Sequence, residues 1–180
     1  NASSDVINRC LPGAYAEDQV AGSAFKVNMV LTRLPALKDS RVSPRDAFTG
    51  TFHIDEGYET MQESYRQAQA GGRAEPLPGE MYCHSLTDPS ILSPDLQRQG
   101  YQTLTLFGLD TPYAWFAEDN PRVRGEVLQA YLRGINRYLA EDIRECLAVD
   151  ADGQPCIAAH SPVDLETELG LPQGNIFHGN

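Results

Sequence analysis

Between Ser23 and Leu34, large apolar side chains fall on every second position, at Phe25, Val27, Met29 and Leu31, while Lys26, Asn28 and Thr32 stand between them. A period of two marks a strand, whose successive side chains point to opposite faces. One face must be covered by apolar neighbours. The other presents an ammonium beside an amide, and Pro35 ends the run.

The remaining elements are read from their own periods and stops. Residues 14–20 suggest a short helix, 38–46 a polar surface loop, and Thr49 to Ile54 a second strand with Phe52 and Ile54 on one face. Asp55 is placed to cap a helix over 57–70, with Tyr58, Met61, Tyr65 and Ala68 as its apolar stripe and Gly71-Gly72 as its stop. Residues 81–86 and 101–109 predict further strands. Asn120-Pro121 opens the longest helix, whose stripe runs through Val123, Val127, Tyr131, Ile135, Tyr138 or Leu139, Ile143 and Leu147. A last strand over 156–160 leads into Ser161-Pro162, which caps a helix over 163–169 that Gly170 terminates. Strands and helices alternate irregularly, with too few crossovers for a doubly wound sheet. The expected fold is α+β over a single domain, 1–180, with a mostly antiparallel or mixed sheet and helices packed on one face.

Composition removes several classes of function. The 180 residues, 41% hydrophobic and 22% charged, suffice for one globular core. Fourteen Lys plus Arg against 25 Asp plus Glu give a net charge of −11, with no basic cluster, so nucleic acid is not an expected partner. Cys10, Cys83, Cys146 and Cys156 are widely spaced, with no Cys-x-x-Cys pair and no signal-like apolar segment at the start. Reduced thiols in the cytoplasm are the expectation.

No nucleophile elbow, phosphate-cradling glycine loop or dinucleotide fingerprint is present. His53 with Asp55 and Glu56, His84 with Asp88, and His160 beside a helix cap are each too sparse in ligands to predict a metal. Two motifs remain as candidates for ligand contact. Lys26 and Asn28 share the second face of the first strand, where they would position a polar group if that face lines a cavity. In Gly174-Asn175-Ile176-Phe177-His178-Gly179 the glycines permit unusual backbone angles or close approach, and Asn175 and His178 flank the apolar pair with hydrogen-bonding groups.

Gly22-Ser23-Ala24-Phe25-Lys26-Val27-Asn28 followed by Leu34-Pro35, the turn from Thr87 to Pro94, Pro162-Val163-Asp164-Leu165-Glu166, and the Gly174 to Gly179 segment together resemble the phytoene dehydrogenase-related flavoproteins. That family is similar to carotenoid desaturases and, more distantly, to flavin amine oxidases, in which a substrate-binding domain interrupts an FAD-binding domain. The resemblance implies that this chain is the inserted substrate domain, that the flavin-binding domain of the same polypeptide is its partner, and that the isolated chain is inactive and carries no FAD. It also implies that Gly174, Asn175, Ile176, His178 and Gly179 approach the flavin, while Lys26 and Asn28 line the substrate side. The implied substrate is apolar, of lipid or isoprenoid type. A surface built to meet the flavin domain would be bare in the isolated chain, where it could drive a non-physiological dimer. The alternative function is a noncatalytic interaction domain that uses the exposed sheet face.

Overall fold

The computed structural model of the chain describes residues 21–177. The helix expected over 14–20, and His178 and Gly179, lie outside the described residues. Five strands, β1 (Phe25–Leu31), β2 (Thr51–Ile54), β3 (Gly79–Tyr82), β4 (Gln102–Gly108) and β5 (Ile157–His160), form one sheet in the order β2-β3-β4-β1-β5. Every pairing is antiparallel. The helices are α1 (Pro44–Phe48), α2 (Tyr58–Gln69), α3 (His84–Thr87), α4 (Pro94–Arg98), α5 (Asn120–Asn136) and α6 (Pro162–Leu169). The fold is α+β.

The alternation in β1 decides how the layers stack. Phe25, Val27, Met29 and Leu31 are all at most 3% exposed, and with Leu104, Leu106 and Met81 they form the sheet's contribution to the core. The stripe Val123, Val127, Tyr131 and Ile135 of α5 belongs to the same cluster, so the longest helix covers the apolar face of the sheet. Phe25 stacks on both Phe116 and Tyr131, with ring centroids 5.9 and 5.8 Å apart. The Tyr131 hydroxyl is buried but satisfied, because it donates to the carbonyls of Pro78 (3.2 Å) and Leu109 (3.3 Å). Burial pushes its phenol far above the ordinary value. Tyr131→Phe should therefore cost about 1–2 kcal/mol in urea unfolding, since two carbonyls lose their shared donor while the ring is kept. An unchanged midpoint would mean that this hydroxyl does not pin the helix to the sheet.

Several local expectations are corrected. The stripe of α5 continues through Leu139 and Ile143, both buried, but the helix itself stops at Asn136. There the backbone turns to pair with residues 36–38, through Lys38 N–H to Tyr138 O and Ala140 N–H to Ala36 O, and Ile143–Cys146 form a short 3-10 turn. In α2 the inward residue is Ser64, while Tyr58 and Tyr65 are 80% and 59% exposed, so the helix is rotated about its axis from the stripe expected. Asp55 does not cap α2; Gly57 does. Asp55 takes a positive φ of 54° and turns its carboxylate to the Arg137 guanidinium and the Tyr138 hydroxyl. The strand expected over 81–86 ends at Tyr82, because the Ser85 hydroxyl accepts from the Thr103 N–H and donates to Gln102, replacing the ladder. Within the loop expected over 38–46, Ser43 caps α1.

Candidate functional site

The second face of the sheet carries the candidate site. Strand register places side chains there in rows, the first being His53, Glu80, Phe107, Lys26 and His160 across the five strands. The next row is Thr51, Tyr82, Thr105, Asn28 and Ala158. Asn28 is exposed although β1 is an interior strand, so no helix of the described residues closes the face above it.

A groove of about 490 Å³ opens at Asn28. Its floor is Asn28, Val30, Thr103 and Thr105; His84 and Ile91 wall one side and the segment 155–158 the other. The Thr105 hydroxyl donates to Asn28 Oδ1 (3.2 Å), which leaves the amide N–H groups of Asn28 directed elsewhere. Opposite Asn28 on β5 stands Ala158, whose small side chain keeps the floor open. Lys26 is half-buried one pleat away, its Nζ 5.3 Å from the centre of the Phe107 ring, and it makes no ion pair among the described residues. Lys26 is not among the residues that line the groove; two residues along a strand span about 7 Å, which puts it at the rim, one row beyond Asn28.

The glycine segment lies at the N-terminal end of the same strand. Gly22 N–H donates to Gln173 O (2.9 Å), and Gly22 O accepts from Tyr113 N–H (2.9 Å). Glu166 locks the arrangement, accepting from the Tyr113 hydroxyl (2.6 Å) and the Gln173 N–H (2.8 Å). The Tyr113 bond, followed by the Gln173 N–H, holds the Glu166 carboxyl below its ordinary range. Gly174 has φ 67°, and a Cβ there would lie 2.2 Å from Pro162 O. A Cβ on Gly22 would lie 2.2 Å from Gly174 O. Both glycines are thus required by backbone crowding within the chain. Asn175 Oδ1 accepts from Phe177 N–H (2.9 Å), and Ile176 and Phe177 are 40% and 79% exposed.

Below this turn, Asp164 is 7% exposed. It accepts from Ser161 N–H (2.8 Å), Asn120 Nδ2 (2.6 Å) and Arg124 Nη1 (2.8 Å), while the Ser161 hydroxyl donates to Asn120 Oδ1 (2.6 Å). This network joins the start of α5 to the start of α6, and so supports the Pro162 carbonyl against which Gly174 rests.

The metal-like groupings resolve differently from the sequence. Asp55 leaves His53, and Glu80 arrives from the neighbouring strand, so His53, Glu56 and Glu80 hold ligand atoms within 4.8 Å of one another. His53 Nδ1 is already bonded to Glu56, and Glu80 lies beside the Tyr82 hydroxyl, which it raises above its ordinary pKa. Asp88 caps the Pro89–Ile91 turn through Ser90 N–H, and His160 pairs with Glu168 at 3.4 Å.

Lys26 and Asn28 therefore share one open face, and the glycine segment meets the end of their strand; the face itself was readable from the sequence, but its groove was not. Thr103 and Thr105 were overlooked, although their alternation with Leu104 and Leu106 marks the same face. No helix of the described residues is long and apolar enough to cross a membrane.

The chain matches no family model. An uncharacterized protein of Mycobacterium tuberculosis is 48% identical over 158 residues, covering 88% of this chain and 29% of that protein. An uncharacterized protein of Mycobacterium bovis matches to the same extent. Pyridine nucleotide-disulfide oxidoreductase domain-containing protein 2 of Mus musculus is 28% identical over 188 residues, covering 94% of this chain and 29% of that protein. The chain is thus similar, at a distance, to an oxidoreductase-related family, and it spans about three tenths of the length of the curated relatives it matches.

Proposed function

We propose that this chain is the substrate-binding domain of an FAD-dependent oxidoreductase of the phytoene dehydrogenase-related type, inserted into the flavin-binding domain of a longer polypeptide in the cytoplasm. The observation that carries the reading is the groove beside Asn28 on a sheet face that no helix of the described residues covers, at whose strand end Gly22 and Gln173 are hydrogen-bonded side by side. An inserted domain needs its two crossings to be adjacent, and the closeness of Gly22 and Gln173 supports that reading. The similarity to an oxidoreductase-domain protein, of which this chain matches 29%, supports the same reading. The free thiols of Cys83, Cys146 and Cys156 suit a reducing compartment.

In this reading the apolar body of the substrate lies in the groove, with Lys26 and Asn28 orienting its polar end. The segment around Asn175, Ile176 and Phe177 faces the flavin domain, and the exposed Ile176 and Phe177 supply apolar surface suited to a planar ring. The chemistry FAD supplies when bound is acceptance of a hydride from a C–H bond; this chain's residues bind, orient and exclude water. The same exposed pair would drive self-association in the isolated chain.

Expression of the chain alone and of the longer polypeptide tests the assignment. The expected result is a colourless isolated chain and a longer protein with the absorption band of bound flavin. Stoichiometric flavin on the isolated chain, or a flavin-free longer protein lacking a Gly-x-Gly-x-x-Gly strand-to-helix turn, would overturn it.

A further inference from the structure

We propose that the ligand of the groove is an apolar chain ending in a carboxylate, whose two oxygens are held by Lys26 and Asn28. This rests on the reading of the open sheet face as the substrate site, and it narrows that site's ligand from an apolar molecule to a fatty-acid-like one.

The charge pattern is the first argument. Asp and Glu outnumber Lys and Arg by 25 to 14 in the sequence, yet among the described residues no Asp or Glu lines the groove. The carboxylate in the row of Lys26 is Glu80, two strands away with Phe107 between them. Lys26 packs over the Phe107 ring instead of meeting an acid. An ammonium without an acidic partner among the described residues, in a chain of net charge −11, is poised to receive an anion.

Donor geometry is the second. Asn28 Oδ1 already accepts from the Thr105 hydroxyl, so what Asn28 has to offer a ligand is its N–H groups. Thr103 Oγ1 likewise accepts from the Ser85 N–H, which leaves its hydroxyl hydrogen to donate. The polar part of the floor therefore presents donors, and a pure hydrocarbon lying on it would strip water from Asn28 without replacing the lost hydrogen bonds. A carboxylate supplies acceptors to Asn28 and a charge to Lys26 at once. One cation at the rim suits a monoanion. The tail then lies along Val30 and Ile91 towards Pro155, where the lining is apolar.

The test uses the 180-residue chain, with calorimetric titration of dodecanoate and dodecan-1-ol and amide NMR to locate binding. Dodecanoate should bind about tenfold more tightly than the alcohol and shift the Asn28 side-chain amide signals. Lys26→Met should remove that advantage, bringing the acid's affinity to that of the alcohol. Ala158→Phe, a change at an exposed position of the groove wall, should weaken both probes. Thermal unfolding of each variant verifies that it is folded. Equal affinity for acid and alcohol, or an unaltered acid affinity in Lys26→Met, would overturn the carboxylate assignment while leaving the groove as a binding site. Failure of both probes to bind, or binding that Ala158→Phe does not affect, would overturn the carboxylate assignment and the groove together.

Discussion

Gly174→Ala is expected to destabilise the chain by roughly 3 kcal/mol and to loosen the turn that carries Asn175. Two costs add at this position. Alanine at φ 67° is strained by about 1 kcal/mol, and its Cβ would stand 2.2 Å from the Pro162 carbonyl oxygen, a backbone atom with no freedom to swing aside. Gly100 separates the two, because it has φ 82° but nothing within 4 Å of a Cβ. Gly100→Ala should therefore show the dihedral cost alone. Urea unfolding of the two variants compares them directly, and equal losses would mean that the crowding at Gly174 is relieved by a shift of the turn. In the longer polypeptide, Gly174→Ala should also lower activity, since the turn it distorts faces the proposed flavin side.

Asp164→Ala should cost a similar amount, about 3 kcal/mol, for a different reason. Its carboxylate is the acceptor for Ser161 N–H, Asn120 and Arg124, and its removal strands those donors in a half-buried site. Burial by itself would raise the Asp164 pKa, but the hydrogen bonds from Ser161, Arg124 and Asn120 together outweigh it, so the group sits below its ordinary value. The sign for pH follows. A folded-state pKa below the unfolded value, about 3.9 for Asp, contributes stability that is fully present above that value and is lost as pH falls through the folded pKa. The stability difference between the parent chain and Asp164→Ala should accordingly be constant from pH 7 to about pH 5 and shrink below about pH 4. A difference that did not change in acid would show that the charge of Asp164 contributes nothing to the network.

The parts of the fold legible in the sequence are those decided by local period. Phe25 to Leu31 announced both the buried and the open face of β1, and the stripe of α5 announced which helix would cover the former. Ser161-Pro162 and Gly170 marked the ends of α6 because capping is chemistry between near neighbours. Misreadings occurred where distant partners outbid local preference. The strand after Gly79 ends early because Ser85 finds Thr103, 18 residues on, and α5 ends early because residues 36–38 offer backbone partners to residues 138–140. In α2, large tyrosines looked like the inner stripe, yet the small Ser64 takes that place.

The candidate site divides along the same line. Lys26 and Asn28 could be placed on one face from β1 alone, whereas the groove needs Thr103, Thr105, His84 and Ala158, which only the sheet order brings beside them. For Gly174 the sequence showed that a glycine stood there and the fold supplies a reason, close contact with Pro162 and Gly22, that no local pattern encodes.

β1 pairs with β4 along its whole length and with β5 from Lys26 to Met29, and its alternate side chains are sealed into the core. Amides bonded within such a strand exchange with solvent only through large-scale opening, so Lys26 and Asn28 are carried on one of the slowest-exchanging segments of the chain. A ligand of the proposed kind would meet a floor already held in place, and the ordering entropy of binding would fall on the ligand and on the long side chain of Lys26.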